Sequence, residues 1–309
     1  MTKNKTLYDV IVIGGGPAGL NAALYAKRKG LDVLILASYL GGQMINTNDI
    51  DNYLGFSKIA GPELVNHFTD HITSLDIPVM VPVFVEKITK VDKNFIIYLD
   101  DDTMQYAKTV VLATGGMPRK LDVLGEATFA SRGVSYCTTC DAFFYRNKDV
   151  VVAGGGNSAA EAVLDLLPIV KSVTLVHRSS WRADQILLDK FPTDQKLTIH
   201  LNTQILSIHG KDVVSHIRVL DKQTNKEFDI KTDGVFVEIG VIPNSKLAKD
   251  LVKLNDKGEV IVDENQMTSL PGFFAAGDVT NQPYKQIIVA TSQGAIAGLA
   301  ANNYLKKNY

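Results

Sequence analysis

Twice along this chain a short apolar run gives way to a triple-glycine loop and then to a helical pattern. The first run is Tyr8 to Ile13, followed by Gly14-Gly15-Gly16-Pro17-Ala18-Gly19. The second is Asp149 to Ala153, followed by Gly154-Gly155-Gly156-Asn157-Ser158-Ala159. A strand-length apolar run entering a glycine loop and a helix is the opening of a parallel βαβ unit. In the first loop Gly14 permits the tight turn, Gly16 lets a pyrophosphate approach the backbone, and Gly19 lets the helix pack on the strand. The helix N-terminus adds open amides and the positive end of a dipole. One such loop is weak evidence. Two, each set between strand and helix, predict two nucleotide-binding units.

The rest of the chain repeats the same plan. The first helix runs through Lys29 and the second to about Leu167, and Leu31 to Leu36 and Ser172 to Val176 are the strands that close the two βαβ units. Alternating segments around 79–99 and roughly 197–237 predict a β-meander after each. Thr109 to Leu112 is a further strand, ending in Ala113-Thr114-Gly115-Gly116. The chain returns with Gly272 to Asp278 and a helix from about Lys285 to Lys306. Residues 38–62, rich in Gly, Asn and Asp, read as a long loop. The expected fold class is α/β, with two Rossmann-like βαβ nucleotide-binding domains, each with a β-meander, the second inserted in the first. The expected boundaries are 1–117 with 244–309 for the outer domain and 118–243 for the inserted one. The crossings at Met117-Pro118 and Gly240-Val241-Ile242-Pro243 carry hinge-prone residues.

Composition narrows the function classes. A chain of 309 residues is comfortable for two domains. A formal net charge of −1 gives no reason to expect nucleic acid or an anionic membrane as partner. The apolar runs are strand-length, too short to span a bilayer. Met1-Thr2-Lys3-Asn4-Lys5 leads into the first strand without a signal-peptide core, so a cytoplasmic location is expected.

The only two cysteines stand together in Cys137-Thr138-Thr139-Cys140, with Asp141 next. Two thiols at this spacing can close and reopen a small disulfide. In a cytosolic chain such a pair is redox-active or metal-binding rather than structural. A zinc site needs four ligands, so two subunits would each have to donate a pair; no metal is expected here. A helix beginning at Cys137 would ease ionisation of a thiol at its N-terminus, with Thr138 and Thr139 as nearby hydroxyl donors. Asp141 is the candidate general acid, with Phe143-Phe144 expected to desolvate it and raise its pKa. Its plain alternative is a first-turn acid favoured by the helix dipole.

The strand ends bear on which nucleotide each loop takes. The first unit's second strand ends Leu36-Ala37-Ser38, without the acid that would hold a ribose, so Ser38 or loop backbone must substitute. In the second loop Gly154, Gly156 and Ala159 repeat the spacing, and Asn157 and Ser158 can cap the helix, with Glu161 as capping-box partner to Ser158. The following strand ends Val176-His177-Arg178. Arg178 suits a 2′-phosphate, so the physical choice is NADPH. Trp181 is expected to pack against the sheet.

With Gly14–Gly19, Cys137-Thr138-Thr139-Cys140-Asp141, Gly154–Ala159 and Ala275-Ala276-Gly277-Asp278 in this order, the chain resembles the low-molecular-weight thioredoxin reductases. The resemblance extends over essentially the whole length, through Gly41-Gly42-Gln43, Asn52 to Phe56, Ala113-Thr114-Gly115 and Tyr284-Lys285-Gln286. It implies a homodimer with an FAD domain built from both chain ends and an inserted pyridine-nucleotide domain carrying the disulfide. FAD would lie on Gly14, Gly16, Pro17, Ala18, Gly19, Gly42, Gln43, Asn52, Thr114, Gly115, Gly277, Asp278, Gln286 and Ile287. The second nucleotide would lie on Gly154, Gly156, Asn157, Ser158, Arg178 and Arg182. Cys140 would be the flavin-proximal sulfur and Cys137 the attacking one, with Asp141 as acid and thioredoxin as the reduced partner. The family also implies a rotation of the inserted domain about 117–118 and 240–243.

The sequence departs from that family at one place. NADPH-using members show His-Arg-Arg, three residues, then Arg. Here Ser179 replaces the second arginine, and the stretch before Arg182 is one residue shorter. That leaves NADPH, ferredoxin and NADH, in that order, as electron donors. A peroxide-reductase flavoprotein would carry a further N-terminal dithiol domain, and this sequence opens on the first nucleotide strand. A zinc-bridged, non-enzymatic nucleotide-binding module is the remaining rival.

Overall fold

The computed structural model describes residues 6–47, 50–192 and 196–309, so the Met1–Lys5 segment lies outside the described residues. The chain forms two compact units, residues 1–117 with 242–309 and residues 118–241. The return crossing follows Val241, two residues before the expected boundary at 243.

The chain opens with β1 (Leu7–Gly15), α1 (Pro17–Arg28) and β2 (Val33–Leu40). A 3-10 turn (Gly42–Asn46) and α2 (Gly61–Thr73) come next. They are followed by β3 (Val79–Met80), β4 (Val85–Val91), β5 (Asn94–Leu99), β6 (Met104–Leu112) and β7 (Gly116–Pro118). Residues 38–47 and 50–62 are therefore more ordered than their composition suggests. β2 runs on to Leu40, and Gly41 and Gly42 turn the chain at φ +97° and +57°. α2 was legible only in the spacing of its buried Leu64, Val65 and Ile72.

The inserted unit holds β8 (Val134–Ser135), α3 (Thr138–Asp141), β9 (Asp149–Ala153), α4 (Asn157–Leu166), β10 (Ser172–Val176) and α5 (Gln185–Leu188). It continues with β11 (Leu197–His200), β12 (Thr203–Gly210), β13 (Val214–Asp221), β14 (Lys226–Lys231) and β15 (Gly234–Val237). β16 (Val241–Pro243) pairs with β7 where the chain crosses, and β17 (Phe273–Ala275) and α6 (Ile287–Asn308) complete the outer unit.

The outer unit has a seven-stranded sheet in the order β3-β2-β1-β6-β5-β4, with β17 also on β6. β6 divides its edge between two partners: Ala107 pairs with Phe95 of antiparallel β5, and Val111 with Phe274 of parallel β17. β3 pairs in parallel with β2, so the meander starts at Val85 rather than 79. The inserted unit has an all-parallel sheet, β11-β10-β9-β15-β8, and an antiparallel sheet, β12-β13-β14. The second meander is accordingly narrower than 197–237, because β11 and β15 join the parallel sheet. Gly234-Val235-Phe236-Val237 is buried throughout, as a central parallel strand covered on both faces must be.

The same two-sided burial explains β1. Val10 and Val12 enter one core cluster with α1 and α6, while Ile11 and Ile13 enter another on the opposite face. α1 and α6 approach through small residues. A Cβ on Gly294 would lie 2.1 Å from the Ala18 carbonyl oxygen, and one on Gly298 2.4 Å from that of Ala22. This contact clamps the helix that begins at the first glycine loop.

Candidate active site

In the outer unit the two glycine turns and the return loop meet. Gly14, at φ +119°, is backed by the Ala113 carbonyl oxygen, only 2.2 Å from where a Cβ would sit, so no larger residue fits. Gly16 caps α1 without a side-chain bond, with Pro17 following. The Cβ space of Gly16 meets only Gly42 Cα, at 3.7 Å, and that of Gly277 meets Ala18 Cβ at 2.9 Å. Gly16, Gly42, Ala18 and Gly277 thus line a backbone cradle that side chains would fill, which suits a pyrophosphate pressed against the main chain.

Polar groups converge on this cradle. Gln43 Nε2 donates to Gly116 O at 2.6 Å and to Asp278 Oδ2 at 3.4 Å. Asn52 Nδ2 donates to Gln286 Oε1 at 3.3 Å. Ile287 packs with Tyr53 and Phe56 around the Met44–Leu64 cluster, tying the start of α6 to the 42–56 segment. Burial pushes the Asp278 carboxyl above the usual carboxylate range, against the pull of Lys285. A carboxyl in that setting can accept from a hydroxyl or share a proton with it.

Two supporting residues carry no mark in the sequence. Buried Gln293 accepts the Gly277 amide at 2.9 Å and donates to Thr280 Oγ1 at 3.3 Å. Asn244 holds the 114–115 turn from both sides, donating to Thr114 O and accepting from Thr114 Oγ1 on its own carbonyl, at 2.9 and 2.7 Å. Both arrive from sequence-distant segments, so no local pattern reveals them. Ser38 lies inside β2 rather than at its end, since the strand continues to Leu40.

In the inserted unit Cys137 and Cys140 form a disulfide, with Cα atoms 5.3 Å apart. Both are half-buried, as is Asp141. Cys137 is the N-cap of α3, and Cys140 N donates to its sulfur at 3.2 Å. An amide aimed at Sγ favours the thiolate that reduction would leave there. Thr138 does not serve the sulfurs: its Oγ1 and N donate to Glu238 Oε1 at 2.7 and 3.3 Å. Burial raises the Glu238 pKa, while the two Thr138 donors act the other way.

Tyr145 secures the far end of the segment. Its ring occupies the space of an absent side chain at Gly234, 2.2 Å from the Cβ position, and meets Phe236 edge-on at 5.0 Å. Burial first, then the charges of Asp141 and Asp233, push its pKa up to about 12. The expected desolvating role of Phe143 and Phe144 does not hold. They are 62% and 39% exposed, because Tyr145 and Ala142 take the inward positions of a second 3-10 turn (Ala142–Tyr145), and Arg146 lies over the Phe143 ring at 5.3 Å.

The second glycine loop repeats the first. Gly154, at φ +157°, is backed by the Glu238 carbonyl oxygen, 2.3 Å from its Cβ position, and the Cβ space of Gly156 is open. The capping expectation fails. Gly156 is the N-cap of α4, with no side-chain cap. Asn157 is drawn away to Asp184, donating to Oδ2 at 2.7 Å and accepting its amide at 2.8 Å. Ser158 and Glu161 stay exposed on the first turn. At the end of β10, His177 packs its ring on Gly155, and Arg182 N donates to Gly155 O at 2.8 Å. Arg178 and Arg182 are exposed beside it. Trp181 packs with Phe191 at 5.8 Å beneath the second sheet, as expected. Among the described residues, no group of three or more His, Cys, Asp or Glu could hold a metal ion, and no helix is long and apolar enough to cross a membrane.

The pattern of the pyridine nucleotide-disulphide oxidoreductases matches residues 8–294. The chain belongs to this family of FAD-dependent disulfide oxidoreductases. It is 41% identical over 307 residues to the F subunit of alkyl hydroperoxide reductase from Staphylococcus aureus, covering 99% of this chain and 61% of that protein. The chain therefore spans about three fifths of the length of the curated relatives it matches. Among solved structures, thioredoxin reductase from Streptococcus pyogenes shares 38% identity over 98% of this chain and 100% of the other, with a TM-score of 0.93. Thioredoxin reductase from Giardia duodenalis shares 28% identity over the same shares, also at a TM-score of 0.93.

Proposed function

We propose that this protein is a thioredoxin-disulfide reductase that draws electrons from NADPH and works as a homodimer. The observation that carries the reading is the half-buried Cys137–Cys140 disulfide, set on a turn of a nucleotide-binding unit with an amide donating to the Cys137 sulfur. FAD would be held in the cradle of the outer unit, by Gly14–Gly19 and Gly42 for its pyrophosphate and by Gln43, Asn52, Asp278 and Gln286 for its polar groups. Bound there, it would supply two-electron transfer between nicotinamide and disulfide. Gly154, Gly156, Arg178 and Arg182 would hold the nicotinamide nucleotide.

The chain's own chemistry is thiol–disulfide exchange. With both cysteines reduced, the Cys137 thiolate attacks one sulfur of the partner disulfide. The partner's other sulfur leaves and takes a proton, which Asp141 would deliver as general acid. Cys140 then attacks Cys137, reforming the intramolecular disulfide and releasing the partner as a dithiol. Two electrons and two protons pass to the partner, and the protein is left oxidised.

A second reading has its own support. The alkyl hydroperoxide reductase relatives match nearly all of this chain, so the dithiol could serve a peroxidase-linked disulfide instead of thioredoxin. One assay separates the two. The purified protein with NADPH should reduce thioredoxin in a Cys140-dependent manner. Turnover only with a peroxidase disulfide would overturn the thioredoxin reading. Rapid anaerobic bleaching by stoichiometric NADPH supports that donor, and bleaching only by reduced ferredoxin would replace it.

A further inference from the structure

The weakest part of the second nucleotide site is the position where Ser179 stands in place of an arginine. Its hydroxyl is turned onto His177 Nε2 at 3.0 Å, and its carbonyl accepts Asn202 N at 3.3 Å. Ser179 thus braces the strand end and brings no charge. Another cation reaches the same place from the meander. Lys222, the first residue after β13, donates from Nζ to the Arg178 carbonyl at 3.3 Å. Its main chain is pinned by Lys222 N donating to Asn202 O at 2.9 Å, and Asn202 is the residue that holds Ser179.

Arg178 and Arg182 flank the His177 ring on Gly155, Arg182 through its amide on Gly155 O, and Lys222 reaches the Arg178 carbonyl. All three charges act on His177, the residue that ends the strand where a dinucleotide-binding fold reads the ribose 2′ position. Among the described residues, none of the three lies within ion-pair distance of a carboxylate. The acids nearby in sequence are engaged elsewhere. Asp221 accepts the Gln223 and Thr224 amides at 2.8 and 3.3 Å, and Asp184 is bonded to Asn157. Uncompensated like charges gathered at one strand end repel one another, and an anion placed among them relieves that repulsion. The Lys222 ammonium rests on a neutral carbonyl and rides a flexible stem, so it can turn to a phosphate at small cost.

We infer that Lys222 supplies the cation missing at Ser179, and that Arg178, Arg182 and Lys222 together select a nucleotide bearing a 2′-phosphate. The inference rests on the proposed nicotinamide-nucleotide site of the inserted unit. It makes Lys222 a specificity residue for NADPH over NADH, contributed by a sheet outside the βαβ unit.

The test uses the full chain with its flavin and two probes, 2′,5′-ADP and 5′-ADP, titrated by calorimetry. Wild type should bind 2′,5′-ADP more tightly. Lys222→Ala should weaken 2′,5′-ADP about tenfold and leave 5′-ADP unchanged. Lys222→Arg should keep most of the discrimination, and the preference should shrink with added salt. Equal loss for both probes in Lys222→Ala would mark a structural role and overturn the inference, as would an unchanged preference. A wild type that binds both probes alike would overturn the NADPH reading as well, so the two failures are told apart by wild type alone.

Discussion

The two glycine loops rest on the same backbone contact and part company one strand later. Gly14 sits against the carbonyl of Ala113, just past β6, and Gly154 against that of Glu238, just past β15. The second glycine is unobstructed in both: a Cβ on Gly16 would meet only Gly42 Cα, at 3.7 Å, and one on Gly156 nothing within 4 Å. The third position differs: Gly19 would drive a Cβ to within 2.0 Å of Gly14 O, whereas Ala159 is accepted. Beyond the loops, β2 runs on through Ser38 to Leu40, while β10 stops and hands the chain to His177 and Arg178. Ala113 is a methyl, while Glu238 is a carboxylate bonded to the disulfide turn. The turn geometry is therefore common to both units, and the chemistry lies in the residues just beyond each strand.

The sharpest break between the units should come from Cys140→Ser. Disulfide reduction should fall to background, while anaerobic reduction of the flavin by nucleotide persists. Loss of both would mean the outer unit is not an independent flavin site.

Glycine replacements come next and compare the loops position by position. Gly14→Ala meets backbone at a left-handed φ and should cost about 3 kcal/mol of stability, with flavin lost on purification. Gly156→Ala, at φ −102° with nothing near its Cβ, should change stability by less than about 1 kcal/mol and act on nucleotide affinity. Urea unfolding and calorimetry check the pair. Equal destabilisation would deny that the second glycine is kept clear for ligand.

The smallest effect concerns Glu238, the residue that replaces Ala113 in the repeat. Its carboxyl is held above its ordinary 4.5 by burial. Such a group stabilises the fold below its ordinary pKa and loses that contribution as pH rises through the folded value. Glu238→Gln still accepts from Thr138 but does not titrate. Unfolding of the variant should therefore depend less on pH above 4.5 than that of wild type. An unchanged profile would show that the carboxylate is solvated.

Much of the cradle was legible because its signals are local. A glycine that must turn, a strand buried on both faces and two thiols three positions apart all depend on a few consecutive residues. Gln43, Asn52, Asp278 and Gln286 were reached through the family resemblance, and they meet in two pairs, Gln43 with Asp278 and Asn52 with Gln286. Tyr145, Glu238, Asn244 and Gln293 were not legible. Glu238 reaches Thr138 across 100 positions and Asn244 reaches Thr114 across 130, and an isolated Glu or Asn carries no mark of its partner. Phe143 and Phe144 misled because an apolar pair beside an acid predicts burial, yet only the turn's phase decides which side chains point inward.

The amino-acid sequence by itself determined two βαβ units, their glycine turns, the CxxC pair and the places where the chain crosses between units. Backbone sterics and hydrophobic periodicity act over short spans, so order along the chain suffices to specify them. Tertiary structure alone decided that Thr138 serves Glu238 rather than a sulfur, that the Asn157 side chain turns to Asp184 rather than capping its helix, and that Lys222 comes to stand beside Arg178. Those outcomes depend on which distant strands pair and in what register, and hydrogen bonds and charges find their partners only after that pairing is made.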